Sequence, residues 1–210
     1  MSASALNERF ASWDTDRVVR VGLALALAAG IGNAVAQVTD FELFDLRIAL
    51  LDSDTHASIF GIASLVAQGA AAAAAVLRGV GSAQRNRWLF LAALLLALLA
   101  VRAALPDDPA ALIAPLAVAF ALFWLLTAND DPAARTIARL GLLLLAFSFL
   151  IHLVGPRIVT ALGGGYRSWP YELKGILKHS TELAGWMLMA TALLAGRCFA
   201  GTRIGRSAPS

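Results

Sequence analysis

The sequence predicts an all-α integral membrane protein, a single bundle of six transmembrane helices. Three observations carry this reading. Of 210 residues, 59% are hydrophobic and 15% are charged, whereas a soluble domain is about half apolar and about a quarter charged. Mean hydropathy is +0.72. The apolar excess is gathered into runs almost free of charge, such as residues 89–101 and 140–150. Runs approaching about 20 residues are what a bilayer core about 30 Å thick asks of a helix.

The apolar runs place spans at 18–37, 57–77, 88–105, 110–127, 135–155 and 171–196. The domain boundaries follow: an N-terminal tail at 1–17, one transmembrane domain at 18–200 and a C-terminal tail at 201–210.

Span one carries Gly22, Ala26, Gly30 and Ala34 on one four-residue stripe. Small residues on a stripe let a second backbone approach closely. The expected use is packing within the chain; a homo-oligomer seam or a partner membrane subunit is the alternative. The run ends Asn33-Ala34-Val35-Ala36-Gln37, an A-x-A pattern that resembles a signal-peptidase site, and cleavage after Ala36 would leave five spans. Its length and the acids Glu8, Asp14 and Asp16 argue against cleavage.

Before span two, Asp52-Ser53-Asp54-Thr55-His56 reads as a helix start, with Ser53, Asp54 or Thr55 as the cap. Gly69 and the alanines at 70–75 offer a small-residue face to a neighbour. Trp88 opens span three as an interfacial aromatic. Asn129-Asp130-Asp131-Pro132 starts span five with caps and a proline. Gly155-Pro156 is expected to end it, and Gly163-Gly164-Gly165 to make the next link flexible. Span six follows Ser168-Trp169-Pro170, with Tyr166, Trp169 and Tyr171 as an aromatic belt.

Charge orients the bundle. With the N-terminus inside, the cytoplasmic side holds Arg9, Arg17, Arg20, Arg78, Arg85, Arg87, Arg135, Arg139, Arg197, Arg203 and Arg206. The outer side holds Arg47, Arg102, Arg157, Arg167, Lys174 and Lys178, beside the acids Asp40, Glu42, Asp45, Asp52 and Asp54. The positive-inside rule then places both termini in the cytoplasm of a bacterial-type inner membrane. A pI near 9.6 on a net charge of only +3 fits this helix-end placement and not a nucleic-acid surface. The lone cysteine, Cys198, excludes internal disulfides and every Cys-pair metal or redox motif.

Counting inward from the cytoplasmic arginines at about 1.5 Å per residue puts Asn33, Arg102, His152 and Glu182 in one layer about 20 Å up, with His179 one turn further out. His179 and Glu182 share a helix face at i, i+3. An intramembrane charge costs several kcal/mol unless paired or wet, so Glu182 is expected to meet Arg102, with His152 and His179 next. Two outcomes stay open. The pair is a staple that registers spans three and six, or it lines an outer polar cavity where Glu182 and a histidine bind or relay a cation, a proton or a small polar ligand. Two sharper readings stand beside these: His152 and His179 as axial ligands of a b-type haem, or His152, His179 and Glu182 holding a divalent metal.

Enzyme motifs are missing. Gly61-Ile62-Ala63-Ser64 lacks the glycine that a rhomboid-type nucleophile motif needs, and no H-x-x-x-H pair of the ceramidase-like kind occurs. P-loop, dinucleotide fingerprint and H-E-x-x-H are also absent. Leu162-Gly163-Gly164-Gly165-Tyr166 lacks the register of a potassium filter. The chain is more readily a non-enzymatic protein.

Leu43-Phe44-Asp45-Leu46 and Glu182-Leu183-Ala184-Gly185 resemble the F-[ND]-L-x-x-E loop and the E-x-x-G last helix of an uncharacterised group of bacterial polytopic membrane proteins. Ala49 replaces the loop glutamate, and residues 98–102 lack the group's acidic and histidine cluster. The resemblance implies a multi-pass layout and no activity.

Overall fold

The structure is a computed structural model. It describes residues 14–44, 48, 50, 51, 58–80, 82–104, 110–165 and 167–206, and the side chains of all of these except 103, 104, 110–112 and 197–206. Its six helices are α1 (Thr15–Phe44), α2 (Ile59–Gly79), α3 (Arg85–Ala104), α4 (Ala110–Leu126), α5 (Pro132–Ala161) and α6 (Trp169–Arg206). Three of them, α1, α2 and α5, are long and apolar enough to cross a membrane by length and composition.

The sixth helix is the axis of the bundle. It packs against α1, α2 and α5, while α3 lies on α2 and α4 joins α3 to α5. From Leu183 to Gly196 nearly every α6 residue is buried, as expected of a helix enclosed on all sides by protein. Lys174, Lys178, His179 and Glu182 lie before that stretch, where α6 is only part-buried.

The small-residue stripe of α1 turns toward α6. A Cβ on Gly22 would overlap the Thr191 side chain, and one on Gly30 would sit 3.7 Å from the Ser180 carbonyl oxygen. The close approach expected of this stripe is therefore made within the chain. The opposite face of α1 shows Val21, Leu25, Ile31 and Val35 outward. The alanine face of α2 buries Ala67, Ala71, Ala72, Ala74 and Ala75 between α6 and α3.

Several helix ends differ from expectation. Ser58 caps α2, accepting from the Gly61 N–H at 2.9 Å; Ser53, Asp54, Thr55 and His56 lie outside the described residues. Asp131 caps α5 by accepting from Ala133 N–H, with Pro132 at the first turn, as the sequence predicts. Gly155-Pro156 does not end α5, which runs to Ala161. Pro156 removes one intrahelical donor, but Gly155 lets Lys174 of α6 pass close, its Cγ 2.8 Å from where a Cβ would stand, and Val159 is buried one turn later. The stop comes at Gly163, at φ +68°. Its N–H bonds Thr160 O at 3.0 Å and Gly164 N–H bonds Val159 O at 2.9 Å, a Schellman closure that fixes the expected flexible link.

Trp88, expected at the membrane surface, is only 3% exposed. The Arg78 guanidinium stacks over its ring at 4.4 Å and pairs with Asp130, so the indole closes a buried ion pair and is not an anchor. Trp169 packs edge-on to Phe41 at 5.0 Å and Tyr171 lies under Lys174. Tyr166, Asp45 and Arg47 are outside the described residues.

Candidate functional site

Glu182 sits on the face of α6 turned toward α2 and α3. Its Oε1 meets Arg102 of α3 at 2.5 Å, and its Oε2 lies 3.8 Å from His179 Nδ1 one turn earlier. Arg102 also donates to Ser64 Oγ of α2 at 3.2 Å. One guanidinium thus ties three helices. The pair is not sealed: the Arg102 and Glu182 side chains keep 19% and 16% of their surface. One turn further along α6, the buried Trp186 indole N–H faces the Glu182 carboxylate.

Asn33 reaches the same helix on another face. Its Nδ2 donates to Ser180 Oγ at 2.9 Å, about half a turn from Glu182. Of the four residues expected in one layer, Asn33, Arg102 and Glu182 thus meet at one level of α6, with His179 one turn further out.

His152 stands apart from that group. Ser148 donates to the Lys178 carbonyl at 2.8 Å and Gly155 meets Lys174, so His152 of α5 lies beside the stretch between them, more than a turn further out than Glu182. Lys178, Glu182, Lys174 and His179 are the charged and titratable groups around it. No hydrogen bond or ion pair joins it to Glu182 among the described residues. Depth counting misplaced it because Arg139 is not at the start of its helix. Arg139 lies two turns into α5, its guanidinium 3.2 Å from the centre of the Trp124 ring and bonded to Trp124 O.

Among the described residues, no three His, Cys, Asp or Glu side chains group as a metal site. A groove of about 550 Å³ lies between the first turns of α1 and the later part of α6, lined by Arg17, Val18, Val21, Leu25 and Leu194. It is at the opposite end of α6 from Glu182.

Sequence reasoning missed the rest of the polar seam. Gln37, 1% exposed, donates to Glu172 Oε2 at 2.6 Å; Glu172 is 2% exposed. Asp40, fully buried, accepts from Ile48 N–H at 3.0 Å. These residues were hidden because span one was expected to end at Gln37, whereas α1 continues to Phe44. The signal was present in the spacing: Asn33, Gln37 and Asp40 fall at i, i+4 and i+7 of one face.

The class this defines is an all-helical bundle with a polar central helix and three helices apolar enough to cross a membrane. No family model, curated protein or solved structure matches the chain.

Proposed function

We propose that this chain is a six-span membrane protein, both termini cytoplasmic, in a bacterial-type inner membrane. It binds or conducts a proton, a cation or a small polar ligand at an outer-side polar site. Glu182 is the charged ligand, Arg102 its counter-ion, and His179 the neighbouring imidazole, with His152 further toward the outer end. The observation that carries this reading is Glu182 itself, part-exposed and shared between Arg102 and His179 at the edge of the enclosed stretch of α6. An ionisable group retained at such depth marks a site or pathway more often than a packing contact.

A second reading is favoured by the Arg102–Ser64 bond: the guanidinium acts as a staple of a non-catalytic accessory subunit. Flux measured in liposomes with Glu182→Gln separates the two. The site reading expects a folded variant without flux. A destabilised variant, with no flux in the unmutated protein, overturns that reading in favour of the staple.

A further inference from the structure

Two guanidiniums near the start of α5 have no carboxylate of their own. Arg135 and Arg139 stand at i and i+4, so they share one face of the helix. Both lean back toward the helix start and reach carbonyls at the end of α4. Arg135 donates to Ala128 O and Arg139 to Trp124 O, each at 3.2 Å. The charged groups that act on Arg139 are Arg135 and Asp130, and Asp130 is engaged by Arg78. Asp131 caps α5 through the Ala133 N–H. Among the described residues neither arginine forms an ion pair, and residues 197–210 add arginines but no Asp or Glu. Like charges one turn apart repel. Each guanidinium also keeps N–H donors beyond the one it gives to a carbonyl. An anion between them would meet both needs.

What adjoins the arginines is apolar and uncovered. Trp124, whose ring carries the Arg139 guanidinium, is itself half exposed, and the stripe of Arg135 and Arg139 continues along α5 through the exposed Leu143 and Leu150. The fourth helix packs chiefly on α3 and touches α5 sparsely, so these side chains line an open cleft. We propose that Arg135 and Arg139 bind the phosphate of an anionic phospholipid whose acyl chain lies along Trp124, Leu143 and Leu150. Planar guanidinium donors suit a phosphate, and basic clefts between helices on the cytoplasmic side are where such headgroups are held. This rests on the six-span reading, under which this end of α5 faces the cytoplasmic leaflet, and not on the role of Glu182.

The test places the full chain in phosphatidylcholine vesicles and titrates in phosphatidylglycerol or phosphatidylcholine with brominated acyl chains, which quench tryptophan on contact. Comparison with Trp124→Phe isolates the Trp124 signal. Phosphatidylglycerol is expected to quench Trp124 at a lower mole fraction than phosphatidylcholine, and Arg135→Gln and Arg139→Gln should each reduce that preference about fivefold. Arg85→Gln with Arg87→Gln removes as much charge from exposed positions at the start of α3 and should leave the preference in place. Equal quenching by the two lipids, or an equal loss in the α3 variant, overturns the site. Inorganic phosphate, compared with chloride at equal ionic strength, should not abolish the preference; if it does, the arginines hold a free anion and the lipid is overturned. Should Arg139→Gln fail to fold, Arg135→Gln decides alone, since its side chain is exposed. Glu182→Gln should leave the quenching unchanged, so a chain without flux that keeps the preference overturns the Glu182 reading and supports the lipid site. If neither lipid quenches Trp124, the six-span reading and the lipid site fall together.

Discussion

Gly141 of α5 and Gly185 of α6 face each other so closely that a Cβ on either would stand 3.1 Å from the other's carbonyl oxygen. Gly185 is also pressed by Leu145, whose Cγ would lie 2.7 Å from the added carbon. The obstacle at Gly141 is backbone, at Met189 N and Gly185 O, and cannot turn aside. Gly141→Ala should therefore separate the two helices and cost about 1–3 kcal/mol. Gly185→Ala should cost less if Leu145 rotates, and Gly185→Ala with Leu145→Ala should recover part of the loss. Thermal unfolding in detergent, followed by size-exclusion profile, reads both effects. Gly69, around which nothing lies within 4 Å, serves as the control, where alanine should raise stability slightly through helix propensity.

A second contact of this kind locks α1 to α6 in the inner half. A Cβ on Gly22 would overlap the Thr191 side chain, whose own Cβ would lie 2.8 Å away. Gly22→Ala is expected to destabilise by about 1–3 kcal/mol. Thr191→Ala removes the two nearest atoms but leaves its Cβ, so the double variant should recover only part of the loss. A double-mutant cycle on the unfolding midpoint should show a coupling of about 0.5–3 kcal/mol. Full additivity would mean that α1 does not press on α6 at this point.

The sequence made the six helices legible because each is an apolar run bounded by charge or turn residues, and these signals are local. Arg102 and Glu182 could be matched because each lies fifteen residues from an arginine of its own helix, Arg87 and Arg197, and the equal counts gave equal depths. The same count failed for His152, because the Trp124 ring lets Arg139 sit two turns inside α5. An arginine marks a membrane boundary only when nothing but water and headgroups satisfies it. The Gln37–Glu172 contact was illegible for a related reason. A polar face directed at another helix resembles a loop in composition, and only its period, Asn33, Gln37 and Asp40, betrays a helix. Trp88 was misread in the same way, since a buried arginine can take the place of the interface as its polar partner.

The Arg102–Glu182 pair gives a prediction about stability independent of function. Removing one member leaves the other charge without its partner, which in buried pairs costs about 3–5 kcal/mol. The part exposure of both side chains places this case at the lower end. Arg102→Met should be worse than Glu182→Gln, because Gln can still accept from the guanidinium whereas Met strands the carboxylate and releases Ser64. The double variant Arg102→Met with Glu182→Leu should be less destabilised than Arg102→Met alone. Unfolding midpoints of the three variants against the unmutated chain check the order. If Arg102→Met is neutral, the pair contributes nothing to helix register.

The end of α5 offers the last prediction. Gly163 holds φ +68°, a left-handed conformation that costs a residue with a Cβ about 1–2 kcal/mol. Around it lies open space, so the penalty for Gly163→Ala is conformational alone, and Gly163→Asn should be tolerated better. Gly164 presents the opposite case. Its φ is not in the left-handed region, yet a Cβ would meet Ser168 Oγ at 2.9 Å, Pro170 Cβ at 3.1 Å and Val159 Cγ1 at 3.1 Å. Pro170 cannot rotate away, so Gly164→Ala should push the first turn of α6 off the last turn of α5. That turn carries Glu172, the partner of Gln37. The two alanine variants should therefore differ in kind. Gly163→Ala lowers the unfolding midpoint and leaves the seam intact, whereas Gly164→Ala also increases hydrogen exchange at residues 169–174. Equal exchange in the two variants would show that the Gly164 contact does not position the start of α6.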